Sequence, residues 1–391
     1  MVNERSPRTV AVAWLILGVR LAFGQSATTS IDPASYLAAQ VNVPKYHVND
    51  IWKAHTHLAN YAEIEGAARD TFSTLPREYE KDYRNPCWQD EGNFKCMPYF
   101  QILGVSKSGT TDLYNRLTEH PDMVDCSWKG PHFWDEAVYP VRNRRPGRYD
   151  GSFPAYIAIF DKAAQRIKAN PAAITGEASS NTFTAVYSHL RGRTLTKRIN
   201  ATLSQYLWEA SPWARYVVMF RDPVTRYRSA FFYYRAKNLP AATDREFLER
   251  VTADISEWEA CNGANTRLYC LKTYMPQQLV KGMYAEFLPA WLAVWPRERL
   301  LIMRTEDYKA APVEHVTATI KFLGLRDLTA EEMKGITSLA AKNTQSSKYN
   351  DTQSESGELA QAYQLLRDFY RPYNQRLSQA LGNDPRWLWG Y

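Results

Sequence analysis

Residues 104–111 read Gly-Val-Ser-Lys-Ser-Gly-Thr-Thr, a short run in which two glycines bracket a lysine and two threonines follow. Glycines let a chain turn tightly enough for its N–H groups to converge, together with a following helix N-terminus, on an anion. Gly104 and Gly109 keep the four-residue gap of a nucleotide-binding P-loop, but Thr110-Thr111 stands where such a loop carries Lys-[Ser/Thr], and Lys107 lies inside the turn. The Walker loop needs its Ser/Thr hydroxyl to hold Mg²⁺. The displaced lysine therefore argues against a kinase or ATPase and suits a diphosphate-like group ending in a sulfonate, handled without a metal. The plainer reading is a glycine turn that closes a strand onto a helix.

A second cationic stretch, Arg221-Asp-Pro-Val-Thr-Arg-Tyr-Arg-Ser229, follows the apolar run 216–220. An arginine leaving the end of a buried strand can bind phosphate in bidentate fashion, and Pro223 suits the first turn of a helix. Ser229 then falls two turns further along that helix. Asp222 read as a Walker B carboxylate, or Arg221 and Asp222 as a simple ion pair, are the competing readings. A third stretch, Trp128-Lys-Gly-Pro-His-Phe-Trp134, gathers Lys129 and His132 beside Asp135 and Glu136.

These residues need a scaffold that presents strand ends. Residues 99–105, 215–220 and 299–304 are short apolar runs of the kind buried in a sheet, and helical patterns fill 226–235, 244–259, 276–294, 312–323 and 357–381. Short buried strands alternating with longer helices predict a parallel sheet covered on both faces. Ligands of such sheets bind at the carboxyl ends of strands, where the three stretches fall. The expected fold is α/β: a three-layer, P-loop-like arrangement with a central parallel sheet flanked by helices.

Taken together, the first two motifs resemble those of the PAPS-dependent sulfotransferase superfamily, with the closest likeness to its Golgi carbohydrate branch and, within it, the N-acetylgalactosamine 4-sulfate 6-O-sulfotransferase type. Supporting stretches are Cys87-Trp…Cys96-Met-Pro-Tyr99, Ile174-Thr-Gly-Glu-Ala-Ser-Ser180, Leu301-Ile-Met-Arg-Thr-Glu-Asp-Tyr308 and Leu366-Arg-Asp-Phe-Tyr-Arg-Pro-Tyr-Asn374. The resemblance implies that Lys107 contacts the bridging and leaving oxygens of PAPS, that Ser108, Gly109, Thr110 and Thr111 hold its 5′-phosphate, and that Arg221 and Ser229 hold its 3′-phosphate. Lys348-Tyr349 resembles a late loop that closes over the nucleotide, with a solvated linker as the equal alternative. PAP is the expected product, and no metal is expected in the transfer.

One position departs from the family pattern. Relatives carry Lys-Glu-x-His-Phe-Phe or Lys-Glu-Pro-His-Trp-Trp, whose glutamate deprotonates the acceptor hydroxyl; here Gly130 occupies that place. A hydroxyl of high pKa needs a base within hydrogen-bond reach as it attacks. His132 and Glu177 are the candidate bases. A structural or substrate-orienting His132 stays open, as does a chain that binds PAP or glycan without efficient transfer. Lys129 is expected to neutralise sulfonate or acceptor charge. The expected activity is transfer of the PAPS sulfonate to a hydroxyl of an anionic carbohydrate, with a glycosaminoglycan such as chondroitin or dermatan sulfate foremost and a P-loop kinase the remote alternative.

The chain has 391 residues and a formal net charge of +7, which favours anionic partners but is too diluted to imply nucleic acid. No nucleic-acid-reading motif and no zinc-type Cys/His spacing occurs. Basic groups at Arg142, Arg144, Arg145, Arg148, Arg191, Arg193, Lys197 and Arg198 are solvated faces or a lining that attracts a polyanion. Residues 10–19 form an apolar run of about ten residues, short of the ~20 that span a bilayer, so residues 1–25 read as a cleaved signal peptide or a short signal-anchor. Residues 26–97 read as a stem or amino-terminal extension, 98–382 as the sulfotransferase domain and 383–391 as a tail. The expected location is the Golgi lumen, type II anchored, or outside the cell if the leader is cleaved. Asn200-Ala-Thr202 and Asn350-Asp-Thr352 are glycosylation sequons. The spacings Cys87/Cys96 and Cys261/Cys270 are compatible with two small disulfide loops and a leftover Cys126.

Overall fold

A computed structural model describes residues 32–41, 43–44, 46–126, 129–135, 151–187, 200–235, 242–340 and 357–391. Strands β1 (Cys87–Asp90) and β2 (Asn93–Cys96) pair as an antiparallel hairpin turned by Glu91-Gly92, both at positive φ. Cys87 and Cys96 face each other across it and form a disulfide. Cys261–Cys270 is the second disulfide, and Cys126 is buried outside both, a pairing with which the spacing is compatible.

The central sheet comprises β3 (Phe100–Gly104), β4 (Met123–Val124), β5 (Ile174–Glu177), β6 (Arg215–Phe220) and β7 (Leu300–Arg304) in the order β4-β5-β3-β6-β7. Every neighbouring pair is parallel. β3 and β6 are buried along their whole length, as near-continuous apolar runs require when both faces are covered. The chain leaves β3 for the far edge at β4, and each later step runs back the other way. Right-handed crossovers then place the intervening helices on opposite faces and leave a switch point between β3 and β6. On one face Trp291 and Trp295 pack edge-on against Tyr216 of β6. On the other, Arg116 of helix Thr110–Leu117 donates to the carbonyls of Ile336, Thr337 and Leu339. The result is a three-layer α/β domain.

One helical stretch and two strands of the sheet differ from the pattern reading. The apolar stretch 276–294 is not one helix but two, Gln277–Val280 and Tyr284–Leu292. Between them a Cβ on Gly282 would lie 2.7 Å from the Tyr370 ring, whose hydroxyl donates to Leu279 O at 2.8 Å, so the break seats helix Gly357–Ala380. The short strands β4 and β5 carried too few residues to register as periodic runs. The described part of the amino-terminal extension lies on the domain: Tyr46 donates to Trp213 O at 2.8 Å, and Arg215, buried at the start of β6, donates to the carbonyls of Pro44 and Phe322.

The leader, the clusters 142–148 and 191–198, Glu136, Lys348-Tyr349 and the Asn350 sequon lie outside the described residues. Among the described residues no helix is long and apolar enough to cross a membrane.

Candidate active site

The loop after β3 is pressed against the segment leaving β5. Gly104 has φ +135°, and a Cβ there would come within 2.5 Å of Ser180 O. Lys107 (φ 72°) and Gly109 (φ 87°) turn the chain, and Gly109 caps helix Thr110–Leu117, so the open N–H groups of that helix face the loop. Ser108 is fully buried, yet its Oγ has no hydrogen-bond partner among the described residues. A buried orphan hydroxyl costs on the order of 1–3 kcal/mol, and beside a helix N-terminus it points to a polar anion as its partner. Lys107 Nζ stands 3.7 Å over the Tyr233 ring.

The Arg221 elbow is joined to this loop. Arg221 Nη1 donates to Lys107 O at 3.3 Å, and its Nε donates to Thr225 Oγ1 at 3.1 Å. Asp222 caps helix Pro223–Tyr234, accepting from Val224 and Thr225 N–H; the Walker B alternative loses ground because that carboxylate is occupied as a cap. Ser229 is buried in the same helix. Four residues that the sequence reading gave no role fix the elbow. Thr305 Oγ1 lies 2.8 Å from Ser108 O and 3.1 Å from Phe220 O, tying loop to strand. Tyr284 donates to Arg221 O at 2.8 Å, Glu306 accepts from Asp222 N–H at 2.9 Å, and Tyr391 donates to Asp222 Oδ1 at 2.7 Å. Thr305 and Glu306 sit in the 301–308 stretch that carried family resemblance; Tyr284 and Tyr391 had no local signal.

The third stretch meets the exit of β5. Lys129 Nζ donates to Ala178 O at 3.3 Å, and His132 N–H donates to Ser179 Oγ at 2.9 Å. Ser179 donates through Oγ and N–H to Glu177 Oε2 at 2.7 and 3.0 Å. His132 Nδ1 contacts both carboxylate oxygens of buried Asp135. Burial pulls the His132 pKa down, but the charge and hydrogen bond of Asp135 and the charge of Glu177 outweigh it and raise the imidazole. Burial pushes Glu177 up to about 7 against the hydrogen bonds from Ser179. Burial lowers Lys129. Gly130 has φ +71°, and a Cβ there would sit 3.3 Å from Ala178 O and 3.6 Å from His132 Nε2. The imidazole thus occupies the space beside the departing glutamate position.

The site residues fall into two groups hinged on one turn. Lys107 to Thr111 and Arg221 form the candidate anion cradle; Lys129, His132 and Glu177 form the candidate proton-transfer cluster; the Glu177–Ser180 turn touches both. Residues 98–367 match the family model of the sulfotransferase domain. The chain belongs to the sulfotransferase family. Carbohydrate sulfotransferase 15 of Homo sapiens is 31% identical over 315 residues, 74% of this chain and 54% of that protein. The Rattus norvegicus protein of the same name is 30% identical over 342 residues, 82% of this chain and 59% of that one. Bifunctional heparan sulfate N-deacetylase/N-sulfotransferase 2 of Bos taurus is 24% identical, covering 82% and 35%. The chain spans about half the length of the carbohydrate sulfotransferase 15 relatives it matches. Among solved structures, a sulfotransferase from Alicyclobacillus acidocaldarius aligns with TM-score 0.47 and 22% identity, covering 73% of this chain and 96% of that one. A mouse sulfotransferase complexed with PAP aligns with TM-score 0.36 and 14% identity over 78% and 99%.

Proposed function

We propose that this sulfotransferase moves the sulfonate of PAPS to a hydroxyl of an anionic carbohydrate, a glycosaminoglycan of the chondroitin or dermatan class first among them. The observation that supports the reading is the contact of the Arg221 guanidinium with the Lys107 carbonyl, which joins the strand-end arginine to the glycine loop that leads into helix Thr110–Leu117. The cradle fits the donor: the buried Ser108 Oγ has no hydrogen-bond partner among the described residues, and Lys107, Arg221 and the amides at the start of helix Thr110–Leu117 supply positive charge. When bound, PAPS supplies a sulfonate attached to a phosphate leaving group.

The chain's own residues then divide the work. Ser108, Gly109, Thr110 and Thr111 hold the 5′ end of the donor, and Arg221 with Ser229 its 3′-phosphate. Lys107 neutralises charge on the leaving oxygens, in the manner of preorganised electrostatic stabilisation. His132, its Nδ1 engaged by Asp135, accepts the acceptor's proton at Nε2; Lys129 balances negative charge at the Glu177 turn. The disulfides support a luminal setting, since such bonds persist in oxidising compartments, and the Golgi lumen is the proposed location.

The test pairs two measurements. Calorimetry with PAP in EDTA should show one site, and ³⁵S-PAPS transfer should label one acceptor among desulfated chondroitin, dermatan, heparan and phenolic compounds. Absence of PAP binding overturns the reading. PAP binding without transfer to any acceptor favours a non-transferring relative, the second reading that Gly130 supports.

A further inference from the structure

The sequence reading gave the extension's His55-Thr-His57 no role, yet the fold brings it against Glu209 in the last turn of helix Leu203–Ala210. Glu209 Oε2 lies 3.0 Å from His55 Nε2 and 2.7 Å from His57 Nδ1. The three ligand atoms all fall within 4.8 Å of one another. We propose that His55, His57 and Glu209 bind one divalent transition-metal cation of the Zn²⁺ type, which pins the amino-terminal extension to the domain.

The donor set is two imidazoles and one carboxylate, the borderline ligands that suit Zn²⁺ rather than the oxygen-only shells of Ca²⁺ or Mg²⁺. Tetrahedral bonds of 2.0–2.2 Å put neighbouring ligand atoms roughly 3.3 Å apart. The contacts to Glu209 Oε2 are shorter than that by under about 1 Å, so a cation can replace the protons between these groups through a small outward shift of each ring.

The surroundings hold the ligands in place. Leu58 N–H donates to Glu209 Oε1 at 2.7 Å, which orients the carboxylate and turns Oε2 toward both histidines. His55 stacks parallel to Trp52, and His57 lies 3.8 Å from the Tyr61 ring, fixing both imidazole planes. The Glu209 side chain is fully buried, and among the described residues no Lys or Arg forms an ion pair with it. A buried carboxylate calls for compensating charge, and a dication between two neutral imidazoles supplies it. His57, with 53% of its side chain exposed, gives the ion an entry path and leaves room for a water as fourth ligand.

The position also says what such a site does not do. Glu209 precedes β6, whereas Arg221 follows it, so cation and anion cradle lie at opposite ends of a parallel sheet. The metal therefore acts on the extension's attachment and not on sulfonate transfer, and this inference stands independently of the donor and acceptor.

The experiment uses the full chain, stripped with EDTA and dialysed, then titrated with Zn²⁺ and separately with Co²⁺. One equivalent of Zn²⁺ retained after gel filtration, a raised Tm, and Co²⁺ visible bands of tetrahedral intensity are expected. His57→Ala, at an exposed position compatible with folding, should weaken Zn²⁺ binding by roughly tenfold or more and remove the Tm gain, with PAP affinity unchanged. Glu209→Gln should do the same. Failure to retain Zn²⁺, or retention by His57→Ala equal to the parent, overturns the proposal and leaves Glu209 as a proton acceptor shared by two histidines.

Discussion

His132 Nδ1 sits 2.9 Å from Asp135 Oδ1 and 3.0 Å from Oδ2, with the aspartate wholly buried. A carboxylate in that position fixes the proton on Nδ1 and leaves Nε2 as the basic nitrogen, the logic by which an acid orients a catalytic histidine elsewhere. Asp135 also raises the imidazole pKa against the opposing effect of burial. The pair converts a residue that sequence could read as structural into a group with a defined proton-accepting atom.

The first prediction concerns this pair. A base works only when neutral, so turnover should rise with pH through a value above the ordinary imidazole pKa of about 6.5. His132→Ala should lower kcat by about 10²–10⁴-fold while PAP affinity stays within twofold or so, since the histidine is not in the anion cradle. Asp135→Asn should move the rising limb to lower pH, because removing the aspartate charge removes what holds the pKa up. Full activity in His132→Ala, measured across pH 5–9, would sink the base assignment.

Gly130 yields the second. Restoring the family's glutamate looks like a repair from sequence, but the residue occupies φ +71° and its Cβ would press on Ala178 O and approach His132. Gly130→Glu should therefore cost about 1–2 kcal/mol of stability and displace the imidazole, lowering kcat rather than raising it. A steady-state assay with a thermal melt checks both, and a gain in kcat would mean the loop re-forms around the glutamate.

How much of this was legible beforehand follows from what each residue answers to. Lys107, Arg221 and the glycines of the loop are constrained by local turn geometry at strand ends, so type and spacing reveal them. The β3 and β6 runs were equally plain because burial on both faces forces continuous apolar sequence. β4 has only 2 residues and β5 only 4, too short for any periodicity to register. Tyr284 and Tyr391 reach the Arg221 elbow from 63 and 169 residues away from their partners, contacts that the tertiary fold alone creates. Glu209 carries no local sequence signal, because its histidine partners come from the extension about 150 residues earlier.

The third prediction tests the elbow. Arg221 makes two directed contacts from different guanidinium nitrogens, to Lys107 O and Thr225 Oγ1, a planar fork that lysine cannot reproduce. Arg221→Lys should weaken PAP binding by roughly tenfold to a hundredfold, the worth of a charge-assisted phosphate contact of about 1.5–3 kcal/mol. Calorimetry with PAP and with adenosine 5′-phosphosulfate separates the two phosphate sites. If the loss falls equally on both ligands, Arg221 acts through the loop at Lys107 and not on the 3′-phosphate.

Glu177 gives the last. Its carboxyl is fully buried at the end of β5 and pushed up from 4.5 to about 7, mainly by that burial. A group whose folded pKa is raised holds its proton more tightly in the fold, so its contribution to stability is complete below the unfolded value and is lost as pH climbs through 7. By pH 8 this group has lowered the stability of the fold by about 3 kcal/mol relative to the fully protonated state at low pH. Glu177→Gln keeps an acceptor for Ser179 and cannot ionise; its Tm should match the parent near pH 5, exceed it at pH 8, and show a flatter dependence between. The same variant separates the two candidate bases: with His132 as the base, the rising limb of the pH–rate profile survives in Glu177→Gln, whereas its disappearance would transfer the proton-accepting role to Glu177.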